Sequence, residues 1–274
     1  GDDTNFDVCT IHSFCLNYIF RPFCYRIKGY EKGASVLTQD SPEFSRFVDS
    51  ACADFGRINL RFTDYEEFTH LQIDAAGKPI GPSVATGGVK RDEATLYWKL
   101  LRRAGFVDFC LILYFSLELL RQHPETADHL ASRFAWLLID EFQDTTDVQV
   151  EILSIIAQRK RTRFFLVGDP CQSIFGFAGA KPELAEMFAK RIGARTDLTL
   201  TGNFRSSALI VRHSELLLPR MPPMNAVGAT KDARHAPQHK VATSAFQAIT
   251  EEFLPALEGL KVPIGAAAVL APAW

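Results

Sequence analysis

Leu137-Leu138-Ile139-Asp140-Glu141-Phe142-Gln143-Asp144-Thr145 is a short apolar run that stops at two adjacent carboxylates. Phe134 to Ile139 has the length and composition of a strand buried on both faces, as in a parallel sheet. A helix follows: Thr146 and Gln149 make a capping box, and Val148, Ile152, Leu153, Ile155 and Ile156 recur at helical spacing. A strand leading through a loop into a helix delivers its last residues to the carboxyl edge of the sheet, where open α/β folds bind ligands. Successive strand side chains point to opposite faces, so Asp140 and Glu141 are expected to differ in role. One can hold a cation while the other polarises water. On this stretch alone a second reading stays open, in which the pair merely caps the helix.

Two further stretches decide between them. Arg163 to Val167 reads as another buried strand, and it ends in Gly168-Asp169-Pro170-Cys171-Gln172-Ser173-Ile174-Phe175-Gly176-Phe177-Ala178-Gly179-Ala180. Leu200-Thr201-Gly202-Asn203-Phe204-Arg205-Ser206 comes later. In this order the three segments resemble motifs II, III and IV of the UvrD/Rep-type superfamily I DNA helicases, whose patterns run roughly DEFQDT, GDxxQSIYGFRGA and NYRS. Near the start, Cys9-Thr10-Ile11-His12-Ser13-Phe14 resembles the family's motif Ib, and Gly105-Phe106-Val107-Asp108-Phe109 is similar to its GxxDFDDL stretch.

The resemblance implies a RecA-like α/β fold of the P-loop NTPase type, with ATP and Mg²⁺ as cofactors. It implies single-stranded DNA, or a junction of single and double strands, as the partner. Motion along a strand driven by hydrolysis needs a metal, an oriented water, and a positive charge for the transition state. It also needs a surface that stacks on bases. By resemblance, Asp140 holds Mg²⁺ through coordinated water, and Glu141 is the general base. Gln172 senses the γ-phosphate and couples it to the strand-binding loop. Arg205 neutralises charge on the γ-phosphate, an effect worth about 10³–10⁵ in rate in P-loop enzymes. Asn203 and Phe204 complete the nucleotide side, Phe204 keeping the ring of the family's Tyr without its hydroxyl. Phe177 falls where relatives stack an aromatic on a base, while Ala178 and Phe175 replace the usual Arg and Tyr. Thr10, His12 and Phe14 resemble residues lining the strand channel, and His12 reads equally well as a core histidine. For Arg159-Lys160-Arg161 and Arg163, a solvated helix end is favoured over a nucleic-acid patch.

Composition adds bounds. The chain has 274 residues, 47% of them hydrophobic and 23% charged, with a formal net charge of -2, so strand binding must come from a local groove. The six cysteines (Cys9, Cys15, Cys24, Cys52, Cys110, Cys171) form no CxxC pair and read as reduced thiols of a cytoplasmic protein. The most apolar run, Phe106 to Leu120, is shorter than the roughly 20 residues of a membrane span and carries Asp108 and Glu118. It is expected to be a buried helix after an Asp108 N-cap, preceded by a helix from Glu93 to Arg103.

Helices are also expected to start at Ser41-Pro42, to open at Pro182, and to run over Ser207–Leu218 and Thr250–Leu260. Strands are expected at Thr196–Leu200, Val241–Phe246 and Ala266–Leu270. Residues 1–15 and 131–202 are read as part of a first RecA-like domain, 16–130 as an inserted helical subdomain, and 203–274 as the beginning of a second RecA-like domain.

No GxxxxGK[ST] loop occurs in these residues. The expectation is therefore a piece of a longer ATP-dependent helicase or translocase, its phosphate-gripping loop upstream of Gly1, inactive by itself. Two other readings stand beside it: a non-catalytic nucleic-acid-binding or interaction module derived from a helicase, and the motor subunit of a helicase–nuclease complex.

Overall fold

The computed structural model describes residues 6–173, 183–234 and 237–270. It divides into two compact units, Gly1–Thr196 and Asp197–Trp274, both mixing helices with small sheets.

The centre of the first unit is the Phe109–Gln122 helix, and its start is set by chemistry legible in the sequence. Asp108 Oδ1 accepts from the Leu111 amide at 2.8 Å, and Oδ2 accepts from Trp98 Nε1 at 2.8 Å. Leu111, Ile112, Leu113, Phe115, Leu117, Leu119 and Leu120 are all buried, so the helix is covered nearly all round and serves as the core's axis. Against it pack the π-helical turn Cys15–Phe20, the Pro124–Arg133 helix and the Asp147–Ala157 helix. Phe20, Tyr30 and Phe115 form an aromatic group with ring centroids 5.4 to 6.4 Å apart.

Residues 16–90, where the sequence shows little periodicity, are nonetheless folded. The Pro42–Ala53 helix begins after Ser41 as expected, and a Phe62–Thr69 helix follows. Four two-residue strands, β1 (Ser35–Val36), β2 (Gln72–Ile73), β3 (Pro79–Ile80) and β4 (Phe106–Val107), make two small sheets. β1 is parallel to β4, and β2 is antiparallel to β3. The Arg91–Arg103 helix is joined to the preceding segment by an Arg57–Glu93 ion pair at 2.9 Å, the carboxylate fully buried.

The two decisive strands are shorter than expected and pair directly: β5 (Trp136–Ile139) runs parallel to β6 (Arg163–Leu166), with Trp136 opposite Arg163 and Ile139 opposite Leu166. The expectation of burial on both faces is corrected. Leu137, Ile139, Phe164 and Leu166 turn inward onto a small core of Phe142, Val150, Leu153 and Phe188. Trp136, Leu138 and Phe165 are 51%, 58% and 49% exposed on the other face. Among the described residues only one face receives helices, so the strands alternate as a half-covered sheet does. The predicted capping box forms: Gln149 N donates to Thr146 Oγ1, and Thr146 N donates to Gln149 Oε1 at 2.9 Å.

In the second unit, β7 (Gly202–Asn203) is parallel to β8 (Asn225–Ala226), and the Ala208–Leu217 helix starts at its Ser207 cap. The strands expected at Thr196–Leu200, Val241–Phe246 and Ala266–Leu270 do not form among the described residues. Val241 and Leu270 are almost fully exposed, and no described strand beside them supplies the ladder hydrogen bonds an isolated β segment requires. The expected Thr250–Leu260 helix forms as a π-helical Ala248–Phe253 stretch continuing into Leu254–Gly259. Among the described residues no helix is long and apolar enough to cross a membrane.

Candidate functional site

β5 ends at Ile139, and the chain does not continue as a strand through both carboxylates. Asp140 is exposed at the sheet's carboxyl edge, and its Oδ1 accepts from the Glu141 amide at 2.9 Å. Glu141 lies at φ 50°, ψ 40°, in the left-handed region that a residue with a Cβ rarely adopts. Both carboxylates therefore lie past the strand, and this turn, not strand alternation, places them. Held left-handed conformations concentrate where structure serves function. From Glu141 a 3₁₀ turn, Phe142–Asp144, folds back so that the Phe142 amide donates to Val167 O at 2.9 Å.

The residue that joins the two motif segments is one the sequence reading passed over. Gln143 is 2% exposed, its Nε2 donates to Glu141 Oε2 at 2.7 Å, and its Oε1 accepts from the Asp169 amide at 2.9 Å. The Ser173 hydroxyl donates to the Gln143 carbonyl at 3.4 Å. Beyond Gln143, Asp169 Oδ1 accepts from the Cys171 amide at 3.0 Å, and Oδ2 accepts from Gln172 Nε2 at 2.8 Å. Glu141 and Gln172 are thus ends of one hydrogen-bonded chain along the carboxyl edge of β5 and β6. The available signal was a glutamine placed directly after a core phenylalanine: a buried amide must find partners.

Gly168 is where that chain needs the absence of a side chain. A Cβ there would sit 2.7 Å from Gln143 Oε1 and 3.2 Å from the amide nitrogens of Phe142 and Gln143. Backbone atoms cannot give way as a flexible side chain can. Gly168→Ala is expected to lower stability by about 1–3 kcal/mol and Tm by roughly 2–12 °C. Thermal unfolding followed by circular dichroism checks it, and an unchanged Tm would show that the segment moves freely.

Near the start, Thr10 caps the Ile11–Phe14 turn, its Oγ1 accepting from the Ser13 amide at 3.1 Å. Thr10 is exposed, and His12 is half-buried with its ring edge-on to Phe109 at 5.9 Å. Phe14 is a core residue, packed on Tyr18 and Phe134 at 5.5 and 5.3 Å, so its ring anchors the segment. Burial lowers the His12 pKa below its ordinary value. The neutral ring is then favoured in the fold. As pH falls below about 6.5 the unfolded chain gains the proton first, and stability is lost. Tm is expected to fall more steeply from about pH 7 to about pH 5 in the wild type than in His12→Gln. Parallel profiles would contradict this.

In the second unit, Asn203 Oδ1 accepts from the Arg205 amide at 3.0 Å and from the Ser206 amide at 2.8 Å. The asparagine builds the turn; Phe204, 76% exposed, and the exposed Arg205 are what the turn displays. The Thr230 hydroxyl donates to Arg205 O at 3.0 Å, and Val227 N donates to Asn203 O at 2.8 Å, so the turn is braced from the following segment. Phe177, with Phe175 and Ala178, lies outside the described residues.

Among the described residues no group of three or more His, Cys, Asp or Glu could hold a metal ion. Asp140 at an exposed edge suits a cation bound by one or two carboxylates, with water and phosphate completing its shell, which is the habit of Mg²⁺.

The UvrD/REP helicase N-terminal domain model matches residues 3–193. The chain is 37% identical over 123 residues to the DNA helicase II of Haemophilus influenzae, covering 45% of this chain and 17% of that protein. It is 30% identical over 127 residues to the ATP-dependent DNA helicase Rep of Escherichia coli, covering 46% of this chain and 19% of that protein. To an ATP-dependent helicase/nuclease subunit of Exiguobacterium sibiricum it is 36% identical over 229 residues, 66% of this chain and 19% of that protein. The chain spans about a fifth of the length of the curated relatives it matches. The matched span contains Asp140, Glu141, Gln143 and the Gly168–Ser173 segment that the fold links at one sheet edge, and by that match the chain belongs to the UvrD/REP helicase family through its N-terminal domain.

Proposed function

We propose that this chain is part of an ATP-dependent DNA helicase or translocase, which couples ATP hydrolysis to movement on single-stranded DNA and to unwinding. The observation that carries the reading is the hydrogen-bonded path from Glu141 through Gln143 and Asp169 to Gln172, along the edge where an α/β sheet binds its ligand. In this reading residues 1–15 and 131–202 are part of a RecA-like domain, 16–130 an inserted helical subdomain, and 203–274 the beginning of a second RecA-like domain.

Asp140 would hold Mg²⁺, which when bound neutralises charge across the β- and γ-phosphates. Glu141 takes a proton from the attacking water. Gln172, held at the same edge by Asp169, senses the γ-phosphate, and Phe204 offers an exposed ring to adenine. Arg205, carried on the Asn203 turn, supplies positive charge to the transferring phosphoryl group. Phe177 stacks on a base, and Thr10 and His12 border the strand. Phe14 holds their segment in place from within the core. The partners are ATP and single-stranded DNA or its junction with duplex, and the setting is the cytoplasm. The phosphate-cradling GxxxxGK[ST] loop is not in these residues, and by this reading the chain alone does not hydrolyse ATP.

The test is a titration of fluorescein-labelled single-stranded oligonucleotide at several salt concentrations, with an ATPase assay beside it. Binding is expected to weaken linearly in log affinity against log salt. It should weaken further in Phe177→Ala, because base stacking on an aromatic is worth about 1–3 kcal/mol. The ATPase assay should read background. No binding at any salt concentration would overturn the reading, and equal affinity of Phe177→Ala would remove Phe177 from the surface. Turnover at roughly 1–100 s⁻¹ by this chain alone would refute its dependence on a missing phosphate loop.

A further inference from the structure

We propose that Gln143 is a positioning residue that couples the Glu141 carboxylate to the Gly168–Ser173 segment, and that it selects which Glu141 oxygen acts as base. The inference rests on the functional reading above for the role of Glu141, but its geometry stands independently.

The orientation of the Gln143 amide is fixed by its neighbours. The Asp169 backbone N–H can only donate, so the oxygen, Oε1, must face it at 2.9 Å. The NH₂ group is then directed at Glu141 Oε2, 2.7 Å away, a charge-assisted bond to an ionised carboxylate. With Oε2 held as acceptor, Oε1 is the oxygen left to receive the proton. When the attacking water gives that proton to Glu141 Oε1, its oxygen bonds to the γ-phosphorus as the bond from that phosphorus to the β-phosphate oxygen breaks and ADP leaves; the carboxylate becomes neutral and its bond from Gln143 Nε2 weakens. The change reaches Asp169 through the same planar amide, and Asp169 in turn holds Gln172 Nε2 at 2.8 Å.

Three further facts fit a coupling device better than a simple core filler. Glu141 is held in the left-handed region, which turns its carboxylate back toward residue 143. Gly168 leaves room for the amide where a Cβ would strike Gln143 Oε1. The Ser173 hydroxyl reaches back to the Gln143 carbonyl, so one residue touches both ends of the Gly168–Ser173 segment. An apolar residue would fill the space without either side-chain bond.

The test reads amide hydrogen exchange on this chain without nucleotide or DNA, in wild type, Glu141→Ala, Gln143→Leu and the double variant. Glu141→Ala is expected to speed exchange of the Asp169 amide by about 3–10-fold, the factor conferred by losing one hydrogen bond. In the Gln143→Leu background Glu141→Ala should have no further effect. Effects that multiply across the two sites would overturn the coupling. Should Gln143→Leu fail to fold, Gln143→Glu separates the two halves, because its carboxylate still accepts from Asp169 N but has no donor for Glu141. There the Asp169 amide should stay protected and Glu141→Ala should no longer speed its exchange; acceleration equal to that in the wild-type background would overturn the proposal. Failure of these cycles removes the role of Gln143 alone, whereas failure of oligonucleotide binding removes the proposed function and leaves the exchange results standing.

Discussion

Phe188→Ala is expected to lower the unfolding free energy by about 3–5 kcal/mol, one of the largest losses available to a single substitution in this chain. Phe188 has no exposed surface, and its ring meets Phe142 and Phe164 at 5.5 Å each. The small core under β5 and β6 is built from Phe142, Val150, Leu153 and Phe188, so removing one ring leaves a cavity that its neighbours cannot close. The Glu183–Ile192 helix that carries Phe188 is tied to the Asp147–Ala157 helix by Arg191, which donates to Ser154 Oγ at 2.8 Å and faces Glu151 at 3.5 Å. These contacts hold the helix nearby and limit collapse into the void.

The consequence reaches the candidate site, because Phe142 is both a wall of this core and the residue after Glu141. Its amide bond to Val167 O aligns the two strand ends. Urea denaturation should show the lower midpoint, and amide exchange should rise first at Phe142, Val167 and Asp169. A loss under about 1 kcal/mol would mean that the edge draws its support from elsewhere.

The features legible in the sequence are those decided within a few residues. Asp108 and Thr146 cap the helices that follow them because the donors they satisfy are three residues away. The Phe109–Gln122 helix announces itself by an apolar run too long for a strand. The two strands ending in chemistry are local in the same sense.

What was not legible depends on partners distant in the chain. Gln143 looks like any polar residue until Asp169, 26 positions later, is brought against it. Phe14 sits in a segment resembling a strand-channel motif, yet Phe134 and Tyr18 claim its ring. The stretch from Leu16 to Lys90 hides its order because its strands are two residues long, too short for an alternation to register. Strands expected from apolar composition at Val241–Phe246 and Ala266–Leu270 fail for the converse reason. Propensity does not make a strand where no neighbour offers hydrogen bonds.

That hidden order has its own most sensitive point, the Arg57–Glu93 pair. Arg57 Nη1 donates to Glu93 Oε2 at 2.9 Å and to Gly88 O at 3.1 Å, while Nη2 donates to Asp64 Oδ1 at 2.8 Å. One guanidinium therefore gathers the loop before the Phe62–Thr69 helix, the start of that helix and the first turn of the Arg91–Arg103 helix. Glu93 has no exposed surface, and its Oε2 also accepts from the Lys90 amide at 2.9 Å. Arg57→Leu removes the cation and leaves a carboxylate buried without its counter-ion.

Breaking such a pair costs about 3–5 kcal/mol, and the quarter of the Arg57 side chain open to water places this case toward the lower end. Arg57→Leu combined with Glu93→Gln should recover most of the loss. The neutral amide keeps an acceptor for Lys90 N without needing a counter-ion. Urea midpoints of the wild type, the two single variants and the double variant decide it. If the double variant unfolds as early as Arg57→Leu, the stabilisation lies in the contacts of Arg57 with Gly88 and Asp64, and the buried charge of Glu93 is not what the arginine serves.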